Sequence, residues 1–193
     1  MISDCTAIIL AGGHSQRMGQ DKAMLSFKQQ PLIQSVIATV QPLFAVTMVS
    51  VRAPRAEINL PQVCDSDSDG GPLTGLVASL AAIQTNWAFV VGCDMPFVSP
   101  ALVEKLALKR AAQHAVIAVV EGRLQPLAGF YSTRSLAILR ANLALGQKSL
   151  VVALRNMEVS YADEGELLET DPFLRSFFDL DTPQDLLRAQ GMG

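Results

Sequence analysis

Between Leu10 and Lys22 the chain reads LAGGHSQRMGQDK. The adjacent Gly12 and Gly13 let backbone N–H groups come close enough to a ligand to cradle phosphate or face a base. Arg17 adds a guanidinium fork and Lys22 a point charge within the same short segment, which suits a polyphosphate. It is neither of the usual phosphate loops, because it lacks a Gly-Lys-Ser/Thr ending and its glycines do not fall at GxGxxG. Two glycines alone read equally well as a strand-to-helix turn. With Arg17, Gly19 and Lys22 beside them, phosphate binding is the stronger reading.

Carboxylates supply the second half of such a chemistry. Asp94 follows the apolar run Trp87–Gly92 and precedes Met95-Pro96. By itself it reads as a cap or turn aspartate. Opposite a phosphate loop it can hold Mg²⁺, which needs only one or two carboxylates when substrate phosphates complete its shell. Asp179 and Asp181 alternate around Leu180 and would share a face if this segment were a strand. Their plain alternative is solvent-facing residues beside a helix cap. Asp65, Asp67 and Asp69 alternate with serine without EF-hand spacing, so they read as an acidic surface loop, with Asp65, nearest the strand, a candidate to face the ligand. His14 reads as a solvated side chain and His114 as the end of a helix; neither has a ligating neighbour. No GxSxG or Cys/His nucleophile signature is present.

These groups need a scaffold that brings distant loops together. Buried strands are expected at Thr6–Ala11, Ala45–Val51 and Trp87–Gly92, each an apolar run stopped by a loop. Helical spacing places Leu32, Ile33, Val36, Ile37 and Val40 on one face behind Pro31, and Leu73, Leu76, Val77, Leu80 and Ile83 on another behind Pro72. Ser99-Pro100 opens a third helix through Leu102, Val103, Leu106 and Leu108. Ala115–Val120 and Leu127–Tyr131 flank a hairpin turn at Glu121-Gly122-Arg123, and a helix follows Ser132. Thr182 and Asp185 form a capping box for the last helix. Alternating strands and helices imply a mostly parallel sheet covered on both faces, an α/β/α sandwich. In such sheets ligands bind beyond the carboxyl ends of the strands where strand order reverses. The polar loops after Leu10, Val63 and Gly92 all belong to such ends.

Composition bounds the rest. With 193 residues, half of them apolar and 17% charged, the chain suits one domain with a full core. A net charge of −3 without a basic stripe argues against nucleic acid. Cys5, Cys64 and Cys93 form neither a disulfide framework nor a zinc site, which fits a reducing compartment. The longest apolar run, Leu73–Ile83, falls short of the roughly 18 residues of a membrane span, and the first residues lack a signal-peptide pattern. A cytoplasmic protein is expected.

The whole chain resembles the molybdenum cofactor guanylyltransferases. Leu10-Ala11-Gly12-Gly13, Arg17-Met18-Gly19 and Asp21-Lys22 closely match their opening LAGGxSxRMGxDK signature. Asp65 with Gly71-Pro72-Leu73-Thr74-Gly75, Cys93-Asp94-Met95-Pro96-Phe97, Gln125-Pro126-Leu127 with Tyr131, and Asp179-Leu180-Asp181-Thr182-Pro183 resemble the family's later segments. The resemblance implies a nucleotide-diphospho-sugar-transferase-like (Rossmann-like) fold over residues 1–193 and transfer of GMP from GTP to molybdopterin. It further implies that Leu10, Ala11, Gly12 and Gly13 contact the nucleotide, Asp65 the nucleoside, and Lys22 the phosphates, while Asp94 holds Mg²⁺ with Asp181 as a second candidate. Arg17, Lys22 and Asp94 would carry catalysis, and Arg123, Gln125, Asp179 and Asp181 are candidates for the pterin side, with plain surface polarity as the alternative for each. Chaperones that deliver the product to molybdoenzymes are possible partners in such a pathway.

Two positions depart from the pattern. Ser50 stands where Asn is frequent, and the terminal motif carries aspartates where guanylyltransferases commonly show Asn. Aspartates there look more like molybdopterin cytidylyltransferases, whereas Gly12 argues for GTP because those relatives usually open with LAAG. Use of CTP, another phosphorylated acceptor, or a binding module without turnover are the competing readings. A dehydrogenase is excluded by the missing GxGxxG.

Overall fold

The computed structural model describes residues 1–12, 21–65 and 71–192. Its strands among those residues are β1 (Ile2–Leu10), β2 (Ser26–Phe27), β3 (Gln30–Pro31), β4 (Phe44–Val51), β5 (Gln62–Cys64), β6 (Trp87–Gly92), β7 (Ala115–Val120), β8 (Arg123–Ser132) and β9 (Val159–Ala162). The helices are α1 (Leu32–Val40), α2 (Pro72–Ala82), α3 (Pro100–Leu108), α4 (Leu136–Ala144), α5 (Leu150–Leu154), α6 (Glu164–Leu168) and α7 (Pro183–Gln190). Seven strands form one sheet in the order β5-β4-β1-β6-β8-β7-β9, and β2 pairs only with β3. Every neighbouring pair in the large sheet is parallel except the two made by β8.

The central strand shows why the sheet carries helices on both faces. Cys5, Ala7 and Ile9 of β1 pack into one apolar cluster with α1, α3 and α6, while Ile8 and Leu10 pack into another with α2, α4 and α5. A strand buried on both sides must be apolar at consecutive positions, so it reads as a continuous run. All five apolar residues expected on α1 are buried, as are Leu73, Leu76 and Leu80 of α2. This is the expected three-layer α/β/α arrangement. Among the described residues no helix is long and apolar enough to cross a membrane.

Several local expectations fail, each for a physical reason. Leu108 is 86% exposed, because Leu102, Val103 and Leu106 already fill the buried stripe and a residue two positions on points away. Ser99 occupies the N-cap position without a side-chain cap bond; its own N–H donates to Ser176 Oγ at 2.9 Å. His114 lies beyond α3 at the entrance to β7, where its Nδ1 accepts from the N–H of Glu158 at 3.1 Å. Residues 178–181 form no strand and run as an irregular segment into α7. The capping box of α7 is present: Thr182 N–H donates to Asp185 Oδ2 at 2.9 Å, and Asp185 N–H donates to Thr182 Oγ1 at 3.2 Å.

The β7–β8 hairpin turns at Glu121 and Gly122, both with positive φ, and β8 begins at Arg123 rather than Leu127. Between the pairs Val116↔Phe130 and Ala118↔Gln125, β7 advances two residues while β8 advances five. The extra length is a bulge around Pro126–Gly129, where Ala128 takes φ of +58°. Tyr131, fully buried, ties it down by donating from its hydroxyl to the Pro126 carbonyl at 2.7 Å. Bulges re-aim side chains, and this one places Leu127 in the cleft described next.

Candidate active site

The sheet order reverses at β1, which has β4 on one side and β6 on the other. Their carboxyl ends are stitched by backbone bonds: Ala11 N–H to Ser50 O at 2.8 Å, Cys93 N–H to Leu10 O at 3.0 Å, and Asp65 N–H to Val51 O at 3.1 Å. Above these ends opens a cleft of about 640 Å³, mouth included. Leu10, Ala11, Gly12, Lys22, Asp65 and Asp94, all expected at the site, line it together. Gly13, His14 and Arg17 lie outside the described residues, as do Asp67 and Asp69.

Lys22 opens a short 3-10 turn, Lys22–Met24, whose N-cap is Asp21, with Asp21 Oδ1 accepting from Ala23 N–H at 3.1 Å. Its ammonium is bound by Asp94 Oδ2 at 2.9 Å and also by Asp181 Oδ1. Burial disfavours the ammonium's charge, but the two carboxylates outweigh that cost and hold the lysine pKa above its ordinary value. Asp181 is brought there by packing. Its neighbour Leu180 is fully buried against Phe27, Leu32 and Ala189, and the Leu180 N–H donates to the Asp94 carbonyl at 2.9 Å. Asp179 stands exposed at the rim, yet crowding and the charges of Asp94 and Asp181 push its carboxyl up to about 7.

The orientation of Asp94 depends on the absence of a side chain two residues earlier. A Cβ on Gly92 would stand 2.3 Å from Asp94 Oδ1, so the carboxylate occupies space that only glycine leaves open. A similar approach shapes the floor. A Cβ on Gly75 would meet Ser50 Oγ at 2.7 Å, which lets α2 press its first turns onto the end of β4. Asp65 is buried beside this contact, with Oδ2 3.5 Å from that same Cβ position. Gly12 differs: a Cβ there would meet Arg52 Cγ and Asp65 Oδ2 at 3.6 Å, ordinary contact distance. The packed fold does not itself demand glycine at position 12.

Two residues at this edge, Arg52 and Arg55, escaped the sequence reading, while Ser50 was noted there only as a departure from the family pattern. Ser50 is buried in the cleft wall, and Arg52 packs beside Gly12. Arg55 forms an ion pair with Asp21, the cap of the turn that carries Lys22. Gln62 fixes the Arg55 backbone by accepting from its N–H at 2.8 Å and donating to its carbonyl at 2.7 Å. A glycine inside the helical run of α2 was the one available signal, for the close approach to Ser50. Nothing local marks an ion pair spanning 34 residues.

Asp94 and Asp181 offer hard carboxylate oxygens, while no group of three His, Cys, Asp or Glu that could hold a metal exists among the described residues. This donor set fits Mg²⁺, which takes few protein ligands and completes its shell with phosphates and water. Zn²⁺ or Cu²⁺ would ask for more nitrogen or sulfur.

Residues 7–159 match the family model described as the MobA-like NTP transferase domain. A molybdenum cofactor guanylyltransferase of Pseudomonas putida is 33% identical over 187 residues, covering 94% of this chain and 96% of that one. Another, from Vibrio cholerae, is 30% identical and covers 95% of this chain and 90% of its own length. The crystal structure of molybdopterin-guanine dinucleotide biosynthesis protein A from Archaeoglobus fulgidus superposes with a TM-score of 0.87, at 26% identity and 97% coverage of both chains. The family model spans most of the chain and the relatives are matched along nearly their whole length, so the chain belongs to this family: it is a MobA-like NTP transferase.

Proposed function

We propose that the protein transfers GMP from GTP to molybdopterin, forming molybdopterin guanine dinucleotide and pyrophosphate. The observation that carries this reading is the Lys22–Asp94 pair, 2.9 Å apart, at the mouth of a glycine-lined cleft at the switch point of the sheet. The names of the relatives supply the acceptor. We take residues 1–193 as one nucleotidyltransferase domain and place its work in the cytoplasm, with chaperones for the product among its partners.

A phosphate oxygen of molybdopterin attacks the α-phosphorus of GTP in line. A new P–O bond forms there as the bond to the β-phosphate bridge breaks and pyrophosphate leaves. The nucleophile is already anionic, so no side chain need act as a strong base or form a covalent intermediate. Catalysis is positioning and charge neutralisation. Leu10, Ala11, Gly12 and Gly13 present backbone to the nucleotide, and Asp65 meets the nucleoside from the buried wall. Lys22 exchanges Asp94 and Asp181 for the phosphates and, with Arg17, steadies the charge that builds on them. Asp94, helped by Asp181, would hold Mg²⁺. When bound, the metal ion would neutralise phosphate charge as a Lewis acid. Gly12 leaves room that the fold does not require, which suits the larger purine base.

Incubation with Mg²⁺, molybdopterin and GTP, CTP, ATP or UTP in turn tests the assignment. Dinucleotide from GTP alone is expected. Product from CTP alone would transfer the assignment to the cytidylyl relatives, and nucleotide binding without product would make this a carrier module.

A further inference from the structure

We infer that Phe97 is a positioning residue: its ring, in contact with those of Phe27 and Phe178, sets the spacing of Lys22, Asp94 and Asp181. This rests on the guanylyl-transfer reading, in which those three groups handle the phosphates and the metal ion. Each comes from a different part of the chain, and each has a phenylalanine near it in sequence. Phe27 follows Lys22 by five residues, Phe97 follows Asp94 by three, and Phe178 precedes Asp181 by three. The three rings meet in a row. Phe27 and Phe97 stand 5.8 Å apart between centroids at 89°, and Phe97 and Phe178 stand 6.2 Å apart at 65°. Edge-to-face contacts of this kind fix an orientation as well as burying area.

Hydrogen bonds already join two of the three segments. Leu180 N–H donates to the Asp94 carbonyl at 2.9 Å, and Ser176 Oγ accepts from Ser99 N–H at 2.9 Å while donating to the Phe97 carbonyl at 3.5 Å. The Lys22 segment is held differently. Among the described residues no hydrogen bond joins residues 23–31 to either of the other two, and the buried Phe27 ring supplies the contact instead. The β2–β3 hairpin turns at Lys28 and Gln29, both with positive φ. This lays the Lys28 ammonium 5.5 Å from the Phe27 centroid and 5.8 Å from that of Phe97, a cation shared by both rings.

The reaction is where the rings matter most. In the structure Lys22 is tied to Asp94 and Asp181 by its own ion pairs. Once the ammonium turns to the phosphates those ties are given up, and the ring contacts remain to hold its turn at the same distance from the two carboxylates. A second phenylalanine group shows what an ordinary core contact looks like. Phe44, Phe89 and Phe130 pack together on β4, β6 and β8, and none of them lines the cleft.

The test compares Phe97→Leu and Phe178→Leu, which keep apolar bulk and lose a ring, with Phe97→Tyr, which keeps the ring, and with Phe44→Leu as a like loss in the core. It measures kcat and KM for GTP in dinucleotide formation. Binding of Mn²⁺, which takes the same oxygen ligands as Mg²⁺, to the protein–GTP complex is followed alongside by electron paramagnetic resonance. Since a 1 Å misplacement costs about 10²-fold, a partial slip in Phe97→Leu predicts a kcat lowered about 10-fold and a Mn²⁺ Kd raised at least about three-fold. The KM for GTP should stay within about two-fold of wild type. Phe178→Leu should show the same pattern more weakly, Phe97→Tyr should restore both values, and Phe44→Leu should lower the urea midpoint while changing neither. Wild-type kcat and Mn²⁺ binding in Phe97→Leu overturn the role, as does an equal loss in Phe44→Leu, which would make the effect one of general stability. If the wild type makes no dinucleotide, the guanylyl reading fails and Mn²⁺ binding decides alone. Affinity that depends on the Phe97 ring then keeps the positioning role, and affinity that does not removes it.

Discussion

The cleft at the ends of β1, β4 and β6 and the groove between the start of β8 and residues 173–178, lined by Arg123, Gln125, Phe173 and Arg175, are built in opposite ways. The cleft stands on parallel strand ends stitched by backbone hydrogen bonds, and its walls are small residues, glycine and a buried aspartate. The groove stands on an antiparallel strand with a bulge, and large side chains, exposed or half-buried, line it. A site made of backbone and close approaches has little slack, so single atoms matter there. A site lined by partly exposed side chains tolerates substitution one residue at a time. Mutations should therefore cost far more in the cleft than in the groove.

The largest effect is expected at the charged pair. Lys22→Ala or Asp94→Ala should lower kcat by about 10³-fold, the scale of losing a transition-state charge contact, with the circular dichroism spectrum retained. Near-normal turnover in either would remove that residue from the mechanism. Gly92→Ala comes next, because its methyl would stand 2.3 Å from Asp94 Oδ1 and force the carboxylate aside. A displacement of that size predicts about a 10²-fold fall in kcat/KM. Full activity would show that Asp94 need not hold its observed orientation.

At the bulge, Tyr131→Phe leaves the Pro126 carbonyl without its buried donor. A loss of about 1–3 kcal/mol in urea unfolding is expected, and an unchanged midpoint would mean that the bulge is held by other contacts. Arg55→Ala removes the ion pair to Asp21, an exposed interaction of at most about 1 kcal/mol, so the KM for GTP should rise no more than about five-fold. Partial rescue by Arg55→Lys would separate charge from bulk. The smallest effect concerns Asp179, whose carboxyl is pushed up to about 7 in the folded protein by crowding and the neighbouring Asp94 and Asp181 charges. Between about pH 4 and 7 the folded chain keeps a proton that the unfolded chain has lost, so stability falls as pH rises through that window. Asp179→Asn should flatten that decline in thermal melts, and an equal slope in both proteins would contradict the crowding.

The same contrast explains what the sequence disclosed. Strands buried on both faces and the helix α1 were legible because their apolar periodicity is local, and the Thr182–Asp185 box because capping is local too. Lys22, Asp65 and Asp94 were legible as a set because each follows a strand end, and parallel strands bring such ends together. The bulge in β8 was not, since Pro126 and Gly129 interrupt the alternation that would mark a strand. Asp179 and Asp181 alternate like strand residues, but burial of Leu180 under α7 rather than sheet pairing fixes them. The Arg55–Asp21 pair depends on tertiary packing alone, and the Ser50–Gly75 approach leaves only a glycine inside a helix as its mark.

The central claim is transfer of the α-phosphorus of GTP to a phosphate acceptor. Parallel reactions with molybdopterin, Mg²⁺ and GTP labelled at either the α- or the γ-phosphate test it most directly. The account predicts α-label in the pterin product and γ-label in pyrophosphate, with both lost in Lys22→Ala and Asp94→Ala. Release of γ-label as inorganic phosphate, with no α-label on the pterin, would show GTP hydrolysis instead and contradict it.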